Sequence, residues 1–134
     1  MREIKFRGFD EYHKEWVYGG YYFGTQVHED DVDITTKLGH CRFCHNILKD
    51  GRIYFIENEK SIGQYTGLKD QNGKEIYEGD ILQCDNCFKK VDFESGEWYI
   101  NGEGEGYGLY FAVMEFDIFE VVGNTYENPY LIKE

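Results

Sequence analysis

The sequence predicts an all-β fold, with small barrel-like sheets built from hairpins, and three observations lead there. Aromatic residues make up 18% of the 134 positions, with 12 tyrosines and 10 phenylalanines, whereas alanine occurs once, at Ala112. Tyrosine, phenylalanine, valine and isoleucine suit a pleated, half-buried surface, while alanine and leucine are helix materials. Sixteen glycines supply turns, and short runs of alternating apolar and polar residues recur along the chain.

The elements follow in order. Ile4, Phe6 and Gly8 alternate with Lys5 and Arg7, the pattern of a half-buried strand. Asp10 to Lys14 forms a polar turn, and Glu15 to Phe23 returns as an aromatic-rich second strand. Thr25 to Lys37 is acidic, with Glu29-Asp30-Asp31 as an exposed loop, and periodicity leaves Val32 to Leu38 open between strand and short helix. Ile53-Tyr54-Phe55-Ile56 is apolar on both faces, as a central strand is. From Ile62 to Leu82 four glycines and an Asn72-Gly73 turn predict a tight hairpin feeding a strand at Ile81-Leu82. Val91 and Phe93 turn through Ser95-Gly96-Glu97 into Trp98-Tyr99-Ile100, another hairpin. Gly102 to Gly108 is glycine-dense and reads as a loop. Met114, Phe116 and Ile118 alternate before the apolar phase moves to Phe119 and Val121, as at a β-bulge. Pro129 ends the last strand.

A chain of this length fits one domain, 1–134, or two interlocked barrel subdomains at about 1–60 and 61–134. Folding should bury roughly two-thirds of the unfolded surface, enough for a core without disulfides. The formal net charge is −12, from 26 acidic and 14 basic residues. Such a surface repels phosphate backbones and anionic membranes, which disfavours nucleic-acid and membrane partners. The N-terminus reads as a strand rather than a signal peptide, and no apolar run approaches membrane-spanning length, so the expected compartment is the cytoplasm.

All four cysteines lie in two CxxC pairs, Cys41-Arg42-Phe43-Cys44 and Cys84-Asp85-Asn86-Cys87. Two such pairs can supply four thiolates in a tetrahedron, the closed geometry of structural zinc, and two intervening residues let the backbone aim both sulfurs at one point. Cys41, Cys44, Cys84 and Cys87 are therefore the candidate metal ligands, with His40 and His45 placed to replace a cysteine or support one. The competing readings are four reduced thiols acting as small hydrophobes, or one CxxC pair oxidised during handling. A thioredoxin-type redox motif would need a βαβ setting that is not predicted here.

No catalytic spacing emerges elsewhere. His13, His28, His40 and His45 fit no known motif, and no nucleophile elbow, phosphate loop or HExxH is present. Gly102-Glu103-Gly104-Glu105-Gly106 carries the wrong charge for phosphate. The carboxylates at 29–31 lack the spacing of a calcium loop. Tyr65, Tyr77 and Tyr126 are expected to pack as core or interface aromatics with satisfied hydroxyls.

Three stretches resemble the YopX proteins, a phage and prophage family of Gram-positive bacteria. They are the opening Met1-Arg2-Glu3-Ile4-Lys5-Phe6-Arg7 with Trp16-Val17-Tyr18-Gly19, the turn-rich segment from Ile62 to Leu82, and Glu120-Val121-Val122-Gly123-Asn124-Thr125-Tyr126-Glu127-Asn128-Pro129-Tyr130-Leu131. The resemblance implies a phage or prophage accessory protein in the cytoplasm of a bacterial host. It implies no reaction, and the four cysteines are not part of the family pattern. Tyr77 to Leu82 also resembles a strand of SH3-like barrels, a likeness of architecture alone.

The expectation is thus a non-enzymatic protein acting through protein–protein contact with a host or phage protein or as a homo-oligomer, since tyrosine is enriched at interfaces. An acidic mimic of DNA that blocks a host nucleic-acid-binding protein is the alternative. A hydrolytic or nucleotide-modifying zinc enzyme is a third reading.

Overall fold

The protein was analysed as a computed structural model, which describes residues 4–24, 44–84, 87–94, 96–102, 107–109 and 119–132. The chain divides into two compact units, Lys5–Ile62 and Gly63–Glu134 together with Met1–Ile4. Among the described residues the elements are antiparallel strands and two single-turn 3-10 helices, Glu59–Ser61 and Pro129–Leu131. The all-β prediction holds. Leu109 has helical backbone, and no helix is long and apolar enough to cross a membrane.

The unit Lys5–Ile62 carries β1 (Phe6–Asp10), β2 (Glu15–Gly24), β3 (Cys44–Lys49) and β4 (Arg52–Ile56), with spatial order β4-β3-β2-β1. The polar turn after β1 is built by Asp10. Its Oδ1 accepts from the backbone N–H of Tyr12 at 3.0 Å and of His13 at 3.2 Å, and Oδ2 meets His13 Nδ1 at 2.5 Å. An aspartate that bonds its own following backbone is a turn-former. The β3–β4 hairpin closes through Asp50-Gly51, with φ of +51° and +78°. Two successive positive φ values match the twist of a two-residue hairpin loop, which is why Asp-Gly sits there.

Opposed residues in an antiparallel pair share a face. Phe6, Val17, Tyr21, Ile47, Tyr54 and Ile56 therefore point to one side, where Val17, Ile47 and Ile56 form a buried core. The sheet is strongly curled. A Cβ on Gly8 would stand 2.9 Å from Ile56 Cγ1, so the inner faces of β1 and β4 meet, and only glycine leaves Ile56 its place. A Cβ on Gly19 would lie 2.0 Å from the Leu48 carbonyl oxygen.

One expectation is corrected here. Residues 53–56 read as a central strand, yet among the described residues β4 stands at the end of its sheet. Its pattern reflects two apolar faces: Tyr54 and Ile56 line the core, while Ile53 and Phe55 are half-buried on the other side.

In the second unit β5 (Gly63–Lys69) pairs with β6 (Glu75–Tyr77). A further sheet, in the order β10-β9-β8-β7-β11, is formed by β7 (Asp80–Cys84), β8 (Cys87–Glu94), β9 (Glu97–Gly102), β10 (Tyr107–Gly108) and β11 (Glu120–Asn124). Among the described residues this sheet is open, with β10 and β11 at its ends. Ile76, Leu82, Val91, Ile100, Leu109 and Phe119 form its core.

The turn-rich segment behaves as predicted, hairpin first and strand after. Its turn is organised by Asp70, which is only 7% exposed. Oδ1 accepts from the N–H of Asn72 and of Lys74, each at 2.9 Å, while Oδ2 accepts from Val121 at 2.8 Å and so ties the turn to β11. Gly79, with φ +89°, donates its N–H to Val91 and accepts from Thr125. Gly63 is required by contact, since a Cβ there would stand 2.4 Å from the Glu78 oxygen.

The hairpin predicted around Gly96 is present as β8–β9. Several edges differ from expectation. Gly102 belongs to β9, and Tyr107-Gly108 pair back onto it as β10, so the predicted loop is at most its middle. The register irregularity falls between Val121 and Gly123; the alternation at 114–118 lies outside the described residues, as do the segments 25–37 and 38–43. The last strand ends at Asn124 rather than at Pro129. There Asn128 Oδ1 accepts from Asn124 N–H at 3.1 Å and Asn124 Oδ1 accepts from Glu127 N–H at 2.8 Å. Pro129 instead opens a 3-10 turn, a position where its missing N–H costs nothing.

Candidate functional site

Two features of the first unit have the makings of a site, and the first is a cleft of about 620 Å³ lined by Glu11, His45, Glu57, Asn58 and Glu59. His45 lies on the inner face of β3 near its start. Its Nε2 meets Glu59 Oε2 at 3.2 Å and its Nδ1 meets the Tyr21 hydroxyl at 2.7 Å. The rings of Phe23 and Tyr21 stack on the imidazole, with centroids 4.8 Å and 5.9 Å away. A carboxylate accepts only, so the proton on the Glu59 side sits on Nε2, and in the neutral ring Nδ1 then accepts from the tyrosine.

That chain of donor and acceptor has the polarity of an activated hydroxyl. Its hydroxyl, however, is held against ionisation: burial raises the Tyr21 phenol above its ordinary range, and the nearby Glu59 charge pushes the same way. The relay therefore keeps a neutral phenol, and what it accomplishes is to fasten β2, β3 and the 3-10 turn together.

The second feature is the outer face of the same sheet. Trp16 and Tyr22 of β2 and Ile53 and Phe55 of β4 are half-buried on it, and Tyr18 and Leu48 are 41% and 45% exposed. Arg7 lies over the Trp16 ring at 4.8 Å, a cation–π contact. Asn46, cross-strand from Tyr22 and Phe55, is wholly buried and donates to the Cys44 carbonyl at 2.8 Å. Both faces of this sheet are thus apolar, unlike a sheet with one solvated side.

The predicted metal ligands come out as follows. Cys41 lies outside the described residues, and of the Cys84 side chain nothing is described. Cys44, the first residue of β3, is buried and in a disulfide; Cys87, the first residue of β8, is a half-buried free thiol. Cys84 and Cys87 are backbone partners in the β7–β8 register. Among the described residues no three His, Cys, Asp or Glu side chains are grouped to hold a metal ion. Of the histidines, His13 serves the Asp10 turn, His45 is engaged by Tyr21 and Glu59, and His28 and His40 lie outside the described residues, as do the carboxylates at 29–31. Tyr65 and Tyr77 are buried with ring centroids 5.4 Å apart, and the Tyr77 hydroxyl donates to Glu75.

Sequence reasoning missed the Tyr21–His45–Glu59 relay because its members are 24 and 14 residues apart along the chain. It noted His45 only as a neighbour of Cys44. The cue that could have exposed it was register: Phe23 pairs with His45, which puts Tyr21 two residues along the same face.

Comparison with known proteins agrees with this architecture. A solved structure of protein EF1440 from Enterococcus faecalis superposes with a TM-score of 0.59 at 22% identity, covering 99% of this chain and 100% of that one. Protein yopX from Bacillus subtilis superposes with a TM-score of 0.53 at 15% identity, covering 99% and 100%. At such identities the likeness establishes the fold. No match is found among curated proteins. The family model described as YopX protein matches residues 5–133, nearly the whole chain, and the chain therefore belongs to the YopX family.

Proposed function

We propose that this YopX-family chain is a phage or prophage accessory protein that works without catalysing a reaction, by protein–protein contact in the cytoplasm of a bacterial host, and that it associates with itself. The observation that carries this reading is the apolar outer face of the first unit, where the partly exposed Tyr18 and Leu48 lie with Trp16, Tyr22, Ile53 and Phe55. A sheet face rich in large aromatics and poor in charge has the composition of an interface centre.

Static light scattering at micromolar concentration tests it. The unmodified chain should scatter above monomer mass, and Leu48→Glu with Ile53→Glu, a cross-strand pair on the outer face, should weaken association at least about tenfold by burying unpaired charge. A monomer throughout would contradict the reading.

The paired CxxC spacing supports a structural zinc in the reduced protein, since the disulfide at Cys44 must open before four thiolates can bind one ion. Elemental analysis under reducing conditions should then return about one zinc per chain with the thiols shielded from titration. Four titratable thiols and no metal would exclude it.

A further inference from the structure

We infer that β4 is an unfinished edge, and that a second copy of this chain completes it by pairing its own β4 antiparallel across a two-fold axis. The inference rests on the self-association proposed above and assigns it a seam.

Edge strands expose a row of backbone donors and acceptors, and proteins blunt them with proline, bulges, lysine or inward charge. Proline, bulge and lysine are absent from β4, and its one charge in the inward phase, Arg52, stands exposed at the end of the strand. Its register with β3 runs from His45↔Ile56 to Lys49↔Arg52 without a shift, and its one charge is at its first residue. Beyond its ladder with β3, no backbone hydrogen bond is made by Arg52 to Ile56 among the described residues. Ile53, Tyr54 and Phe55 are each half-buried rather than exposed or covered. The amino-acid pattern of a central strand therefore sits at a sheet end, and a strand laid along the free edge makes the position match the pattern.

Charge selects the direction and the occupant. Arg52 opens the strand, with Lys49 opposite it on β3, while Glu57 follows the strand and Glu59 lies just beyond. Arg52 and Glu57 are both exposed, and neither has an ion-pair partner among the described residues. A parallel neighbour would align like ends. An antiparallel copy with its two-fold at Tyr54 sets Arg52 opposite Ile56 of the other copy and one residue from Glu57 of the other copy, at both ends of the seam. Such a contact is isologous and closes at two copies. It also makes the apolar outer faces of the two copies continuous.

Sedimentation velocity with the full chain tests the seam by charge exchange. Arg52→Glu and Glu57→Arg should each raise the dimer dissociation constant about tenfold by placing like charges together. Arg52→Glu combined with Glu57→Arg should return it to within about twofold of the starting value. Amide exchange of residues 52–56 should slow as concentration rises. A dimer that weakens in Leu48→Glu/Ile53→Glu, yet is indifferent to both charge reversals and shows no concentration-dependent protection of β4, overturns the seam while leaving self-association standing. A chain that is monomeric before any change overturns both.

Discussion

Gly19→Ala is expected to abolish the folded state of the first unit, whereas Gly20→Ala, one residue on, is expected to be nearly silent. The two glycines share a strand and differ only in surroundings. A Cβ on Gly19 would lie 2.0 Å from the Leu48 carbonyl oxygen and 2.9 Å from its carbon, and on Gly20 it would meet nothing within 4 Å. The Leu48 carbonyl is backbone within β3, next to the hairpin turn, so it cannot swing aside as a side-chain tip could. Relief requires β2 and β3 to separate, at the cost of the ladder that holds Tyr21 beside His45. We expect a loss of about 3 kcal/mol or more at Gly19, and a change within about 0.5 kcal/mol at Gly20. Urea unfolding followed by Trp16 fluorescence, with Trp98 replaced by phenylalanine, measures both. Similar midpoints for the two variants would show that β2 and β3 do not approach as described.

The second large effect is expected at Asp70. Its carboxylate receives three backbone N–H groups, from Asn72, Lys74 and Val121, the last of which joins the turn to β11, where the Asn72 side chain also donates to Glu120 at 3.3 Å. Asp70→Ala leaves those donors without their acceptor and should destabilise the second unit by about 3 kcal/mol, since bonds to a charged acceptor exceed neutral ones. Asp70→Asn keeps one carbonyl oxygen and should lose roughly half as much. Chemical denaturation read through Trp98, with Trp16 replaced, is the measurement. An Asp70→Ala variant as stable as its parent would remove the carboxylate from its place as organiser.

These two residues show what the sequence discloses and what it conceals. Asp70, Asn72 and Gly73 announce a turn by type alone, because aspartate bonds its own backbone and Gly73 accepts a φ of +81°. The link from Asp70 to Val121 spans 51 residues and has no local signature. Gly19 and Gly20 look alike in the chain; only the approach of β3 distinguishes them. The same limit explains β4, whose residues report that both faces are apolar and say nothing about which edge is paired. Alternation made the strands legible. The Tyr21–His45–Glu59 relay was hidden because it depends on register across a connection of nearly twenty residues and on a turn beyond the hairpin.

The proposal that a second copy of this chain completes β4 has one direct test. Sedimentation equilibrium of the unmodified protein across a dilution series from tens of micromolar to below one micromolar addresses it most directly. Twice the monomer mass at the top of the range, falling toward one on dilution, is the predicted result. A single monomer mass at every concentration would contradict it.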